Sequence, residues 1–365
     1  MRRRRGVVLG AALAALAACS SGPEPAPEPA VTLGDVAARA AHTATPLADG
    51  RVLVAGGCVV DGCATATRDT FLVAADGRSA ATGPAMGVPR TSHAAATLPD
   101  GRVAIIGGFM GEGEPVSASV DVFDPETGSV EAAAPLHEAR GGHAAAVLAD
   151  GRVLVVGGWV APRTTTASSE LVDLRHGVVR PAAPLPWSAD ALDAVALADG
   201  RVLVTGGHDG GDGTADAAVY DPATGAWTTV GPMSTPRFKH VSVLLPDGRA
   251  LVLGGTTDDR EILATTELFD PRTGRFTPGP TMAAPRYKLA GGAVALADGR
   301  VLVGGGATTV EVLDVGRGTS RPVATPRASG SFTTVTALGR DHYLLLGGYD
   351  DHIRLSRQMA VLAPP

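Results

Sequence analysis

Aromatic side chains make up only 4 % of this 365-residue chain, and cysteine occurs three times. So few rings leave little from which to build the stacking platforms of sugar or single-strand nucleic-acid sites. Cys19, Cys58 and Cys63 are too few for a disulfide scaffold, and without histidines at ligand spacing the last two make a poor zinc site. No nucleophile elbow, phosphate-binding loop or zinc-binding helix pair occurs. Helical periodicity is missing after about residue 20. Acidic residues outnumber basic ones by 37 to 31, which argues against nucleic acid as a partner because phosphate contact needs the opposite sign.

What the chain has in abundance is a repeat. Asp49-Gly50-Arg51 leads through an apolar run to Gly56-Gly57. The same pattern begins at Asp100, Asp150, Asp199, Asp247 and Asp298, and a worn seventh copy runs from Gly339-Arg340-Asp341 to Gly347-Gly348. A period of about fifty residues points to a propeller blade rather than a helical solenoid.

Each unit opens with an alternating segment such as His143-Ala144-Ala145-Ala146-Val147-Leu148, followed by an Asp-Gly turn. Asp-Gly between apolar runs predicts a hairpin with a type I′ turn. The following run, Val153-Leu154-Val155-Val156, reads as a strand buried on both faces, and its closing glycine pair suits a place where backbones approach closely. A second hairpin turns at Asp124-Pro125-Glu126-Thr127-Gly128, and its equivalents begin at Asp221 and Asp270. Four strands per unit and seven units predict an all-β, seven-bladed β-propeller over residues 31–365. Met359-Ala360-Val361-Leu362 leaves the last blade one strand short, and Val31-Thr32-Leu33 is the expected donor that closes the ring.

These residues resemble the kelch repeat, whose signature is a glycine pair after an inner strand and then two aromatics. Tyr220 with Trp227 matches it best and Phe269 with Phe276 more weakly, while the third, sixth and seventh units lack the pair. The resemblance spans nearly everything from Val31 onward.

Residues 1–18 read as a secretory signal peptide: Arg2-Arg3-Arg4-Arg5, then an apolar stretch from Val7 to Ala18. Leu16-Ala17-Ala18-Cys19 looks like a bacterial lipobox, which implies a lipid on Cys19. Residues 19–30 continue as a Pro-rich linker unable to pack. The expected address is the bacterial cell envelope, lipid-anchored, on a periplasmic or extracellular face. Losing residues 1–18 removes four arginines and no acid, moving the formal charge from −6 to near −10. In an oxidising address the simplest reading of Cys58 and Cys63 is a local disulfide.

A second pattern precedes the first strand of the units: Arg39 with His42, Arg90 with His93, Arg140 with His143, Arg237 with His240, then Arg286 and Arg327 without the histidine. Two readings stand open. One is a basic funnel for an anionic ligand or acidic peptide. The kelch resemblance supports it for Arg90, Arg237, Arg286 and Arg327, which follow proline as in kelch domains that capture acidic peptides. The other is that each Arg and His satisfies carbonyls or carboxylates of the neighbouring blade. The fourth unit breaks the pattern with Trp187 and Asp190, expected at the same mouth and marking either a specific pocket or drift in one repeat.

Kelch-type propellers also form the core of copper radical oxidases resembling galactose oxidase, which need a cysteine cross-linked to a tyrosine. The corresponding places here hold Ser92, Gly142 and Lys239, so no metal site and no cofactor are expected. The expected function is a monomeric binding or scaffolding module for an unknown protein or anionic ligand, held at the membrane by its lipid. The alternative is a propeller enzyme acting on an anionic carbohydrate, similar to kelch enzymes that interconvert sialic acid anomers.

Overall fold

Every sequence unit becomes an antiparallel sheet in this computed structural model, which describes residues 36, 38–325, 330–339, 342–357 and 359–363. Blade 5 is representative, with Val241–Leu244, Ala250–Leu253, Thr266–Asp270 and Arg275–Pro278 paired in that order. Six blades have four strands, and in the seventh Thr334–Leu338, His342–Leu346 and Met359–Leu362 form three. Blade 3 carries an unanticipated extra hairpin, Trp159–Ala161 with Thr164–Thr165.

The first strand of each blade lines the axis, and each contacts its counterparts in both flanking blades, so the seven form a closed ring. These strands are rich in alanine, as in Ala144–Val147, because seven backbones converge there. The second strands, such as Val153–Val156, are buried throughout because both faces meet a neighbouring sheet. The core is therefore a set of seven apolar layers, one per blade interface. Leu154 and Val156 meet Val202 and Val204 between blades 3 and 4, and Val52 and Val54 meet Leu344 and Leu346 between blades 1 and 7. Burying one such side chain contributes about 1.5–3 kcal/mol.

The ring closes between blades 7 and 1. The Gly348 N–H donates to the Arg39 carbonyl at 2.7 Å, and Thr336 Oγ1 to the Ala44 carbonyl at 3.2 Å. Val31-Thr32-Leu33, the expected closing strand, lies outside the described residues, as do the leader, Cys19 and the Pro-rich segment. Cys58 and Cys63 are disulfide-bonded in the first blade's loop, which leans on the last blade through Gly62 N–H to the Ile353 carbonyl at 3.0 Å. The bridge stiffens that seam.

One turn expectation needs correcting. The Asp-Gly hairpin is present, but its loop is three residues long and only the glycine is left-handed (Gly151, φ 87°). Leu148 N–H donates to the Arg152 carbonyl at 2.8 Å and Gly151 N–H to the Leu148 carbonyl at 2.9 Å, a type I turn with a glycine bulge. The aspartate does not supply positive φ. Its carboxylate accepts the Arg152 N–H at 3.0 Å and pairs with that side chain.

Candidate functional site

The arginines expected at the mouth lie inside the blades. Arg39, Arg90, Arg140, Arg237 and Arg286 are at most 1 % exposed. Each guanidinium donates to the carbonyl of the first glycine in its own blade's pair, as in Arg140 Nη1 to Gly157 at 2.7 Å and Arg237 Nη1 to Gly254 at 2.8 Å. Four of them also meet a carboxylate of the third strand: Arg90 with Asp121 (2.5 Å), Arg140 with Glu170 (3.0 Å), Arg237 with Glu267 (2.9 Å) and Arg286 with Glu311 (2.7 Å). Arg39 lies 4.7 Å over the Phe71 ring. Burial lowers the pKa of the four acid-paired arginines, and the neighbouring carboxylates oppose that. This corrects the funnel reading for these five residues, because a guanidinium without exposed surface reaches no ligand. The partners are also in the same blade, rather than the neighbouring one; what crosses to the neighbour is the arginine's own carbonyl, accepting Gly57 N–H at Arg90 (2.9 Å). Arg327 lies outside the described residues.

The histidines seal blade interfaces. His42, His93 and His240 each place Nε2 on a threonine of the preceding blade: Thr334 at 3.1 Å, Thr43 at 3.0 Å and Thr205 at 2.8 Å. In the blade before His143 the equivalent places hold Ala94 and Ile106, which offer no hydroxyl, and neither of its ring nitrogens has a hydrogen-bond partner among the described residues. Burial, reinforced by nearby arginines, holds His143 and His240 down at about 3 and His93 well below the ordinary value.

Blade 4 shows why its sequence departs. Ala189 stands where blades 1, 2, 3, 5 and 6 have arginine and Ala218 where blades 2, 3, 5 and 6 have the acid, so the ion pair is removed as a unit. The Trp187 indole N–H takes over the guanidinium's bond, donating to the Gly206 carbonyl at 3.1 Å. Trp187 therefore faces the blade interior and not the mouth, correcting the expectation. Asp190 does line the mouth, 2.9 Å from His208 Nε2.

The mouth itself is framed by one left-handed residue per blade: Ala41, Ser92, Gly142, Ala191, Lys239, Lys288 and Phe332, with φ between 46° and 63°. Such a conformation costs a non-glycine residue about 1–3 kcal/mol. It persists because a belt of hydrogen bonds between blades fixes it. Ser92 N–H donates to Ala41 (2.9 Å), Gly142 to Ser92 (3.1 Å), Ala191 to Gly142 (2.8 Å), Lys239 to Ala191 (2.9 Å) and Phe332 to Lys288 (3.0 Å), always on the carbonyl.

Below this belt lies a funnel of about 420 Å³ to which all seven blades contribute. Its walls are largely alanine, with His42, His93, His143 and His240 set into them. Among the described residues, four side chains of acid or lysine type line it: Asp190, Asp193, Lys239 and Lys288. Asp193 is partly buried, lines the funnel and accepts the Ser242 N–H at 2.5 Å. Enclosure by the walls raises its carboxyl to about 7, against the opposing pull of that hydrogen bond. Lys239 and Lys288 are the only two lysines in the chain, and both occupy belt positions. Lys239 pairs with the exposed Asp259 at 2.5 Å. Lys288 is bonded to Tyr349 Oη at 2.8 Å, with the Tyr287 and Tyr349 rings about its ammonium at 4.9 and 5.2 Å. Burial works against that charge, yet the tyrosine contacts prevail and hold the lysine above its ordinary value.

Seven radial sheets, a glycine pair ending each second strand and cross-strand aromatic pairs (Tyr220–Trp227, centroids 5.1 Å; Phe269–Phe276, 5.0 Å) define a kelch-type β-propeller. The profile of the KLHDC2/KLHL20/DRC7 Kelch-repeats domain matches residues 92–306, and the chain belongs to the kelch-repeat family. No curated protein sequence matches. Among solved structures, that of YjhT aligns with a TM-score of 0.56 at 16 % identity, covering 66 % of this chain and 84 % of that one. A fungal alcohol oxidase of the AA5 family, in complex with copper, aligns with a TM-score of 0.50 at 16 % identity, covering 93 % and 99 %. Both likenesses carry the fold alone. Among the described residues no three His, Cys, Asp or Glu side chains cluster as metal ligands.

Proposed function

We propose that this chain is a binding propeller that takes its ligand at the funnel mouth and is tethered to the bacterial envelope through a lipid on Cys19. One observation supports the site: among the described residues, all four acid or lysine side chains of the funnel come from blades 4, 5 and 6. The other blades present Ala41, Ser92, Gly142 and Phe332 at the belt. A structural repeat keeps the symmetry of the ring, whereas a ligand site breaks it. The cationic contact for an anionic ligand or acidic peptide thus passes from the buried arginines to Lys239 and Lys288. The anchor rests on Arg2-Arg3-Arg4-Arg5, the apolar stretch to Ala18 and Leu16-Ala17-Ala18-Cys19.

A second reading, an enzyme acting on an anionic carbohydrate, is favoured by Asp193, whose carboxyl near 7 matches what a general acid–base group needs. Crosslinking in intact cells separates the two. With Lys239→Ala and Lys288→Met combined, partner capture should fall about tenfold, the loss of one modest ionic contact, at an unchanged melting temperature. In the binding role Asp193→Asn also weakens capture. In the enzymatic role it abolishes turnover and leaves binding nearly intact. Cys19→Ser should move the protein to the soluble fraction; persistent membrane association rejects the anchor, and capture indifferent to both lysines rejects the mouth.

A further inference from the structure

We infer that the funnel mouth is a site for a small zwitterion, its ammonium on Asp193 and its carboxylate on Lys239 and Lys288. This rests on the binding role proposed above and names the ligand class.

The two signs of charge are separated around the ring. Asp193 starts the first strand of blade 4, and the lysines sit at the belt positions of blades 5 and 6. They are consecutive around the mouth. Ser242, three residues after Lys239, gives its N–H to the Asp193 carboxylate, and the Lys239 N–H bonds Ala191 of blade 4. In blade 6 the Leu289 N–H donates to the Lys239 carbonyl at 3.2 Å, which sets Lys288 beside it. One molecule lying across these three blades meets both signs.

Asp193 has no cation within ion-pair distance among the described residues, although it opens into a cavity. A carboxylate enclosed by alanine walls without a counter-charge is the complement of an ammonium group. Asp190, the other acid of the funnel, is already engaged by His208 and contributes less. In the adjacent blade Lys239 lies 5.0 Å over the Phe238 ring and pairs with a half-exposed aspartate, an exchangeable contact because exposed pairs are weak. Lys288 is fixed in place by its tyrosines and keeps hydrogen-bond capacity beyond the one donated to Tyr349. A simple anion would satisfy the lysines and leave Asp193 without a partner. A simple cation would meet the reverse. Only a ligand bearing both groups uses all three side chains, and about 420 Å³ is ample for a small molecule.

The test uses the full chain and ω-amino acids of increasing length: glycine, β-alanine, 4-aminobutyrate and 6-aminohexanoate. Butyrate and butylamine serve as single-charge controls, and affinity is read by isothermal titration. One length should bind at least about tenfold tighter than either control, the worth of one further ionic contact. Asp193→Asn should erase that advantage while leaving butyrate binding no weaker. Lys239→Ala with Lys288→Met should lower zwitterion affinity and leave butylamine unaffected. Melting temperatures of both variants confirm folding. Equal affinity for butyrate and the best zwitterion, or an advantage that survives Asp193→Asn, overturns the inference. If no probe binds while crosslinked capture still depends on the lysines, the zwitterion fails and the binding role stands. If capture is also indifferent, both fail.

Discussion

Glu267→Ala should destabilise the propeller by about 3–5 kcal/mol, the cost of leaving a buried charge without its partner. The Arg237 guanidinium is fully buried and meets the Glu267 carboxylate at 2.9 Å. The same carboxylate also accepts the Ser234 and Thr235 N–H groups at 2.7 and 3.2 Å, so its loss loosens the loop leading to the arginine. Arg237→Leu alone should cost a similar amount. The double replacement by leucine should cost much less than the sum, because apolar residues of similar volume often substitute for a buried pair with little loss. Blade 4 has made a version of this exchange, with Ala189, Ala218 and the Trp187 indole in place of the pair. A double-mutant cycle from denaturant melts measures the coupling. Additive single effects would show that the pair is not a unit.

The second large effect is acid lability. His93, His143 and His240 are held neutral by burial, so the unfolded chain binds protons that the native ring refuses. Stability from these groups is complete above the unfolded histidine value of about 6.5 and is lost as pH falls below it, at about 1.4 kcal/mol per pH unit for each histidine. Asp193 works in the opposite direction. Its raised carboxyl costs stability as pH climbs from the ordinary carboxylate range to about 7, so acidification returns part of the loss. The net slope is that of about two protons, and the fold should fail within a few pH units of neutrality. His143→Leu copies Leu192 and Leu289, which occupy the equivalent interface in blades 4 and 6. Because the His143 ring has no hydrogen-bond partner among the described residues, this variant should match or exceed wild-type stability at pH 8 and shed about one proton from the acid slope. His93, His143 and His240 titrating near 6.5 in the native protein, seen by NMR, would contradict this.

The architecture was readable because it repeats seven times. Period, turn residues and glycine pairs all recur, and the aromatic pairs met as expected. Side-chain direction was not readable. Arg90 and Arg237 follow proline in the way that suggested a mouth, yet they turn inward to a carboxylate on the third strand. A signal for this existed. Asp121, Glu170, Glu267 and Glu311 each stand three residues before the aspartate of the second turn, each in a blade that has the buried arginine, and blade 4 lacks both. That joint occurrence marks an internal pair, although blade 1 keeps Arg39 with Phe71 in the acid's place. The belt was invisible for another reason: of its seven left-handed residues only Gly142 is a glycine, and tertiary hydrogen bonds impose the conformation on the rest. Lys239 and Lys288, though scarce in composition, gave no repeating pattern by which to notice them. The Asp-Gly turn was right in place and wrong in type, because a carboxylate accepting an N–H two residues on serves a type I turn equally well.

The direction in which the arginines point decides the character of the mouth. Arginine-selective modification of the native protein with phenylglyoxal, mapped by mass spectrometry, tests this directly. Arg39, Arg90, Arg140, Arg237 and Arg286 should stay unmodified until the protein unfolds. The turn arginines Arg51, Arg102 and Arg201, whose side chains are about a third exposed, should react. Native-state modification of the five at the rate of the turn arginines would place them on the surface and return the mouth to an arginine funnel.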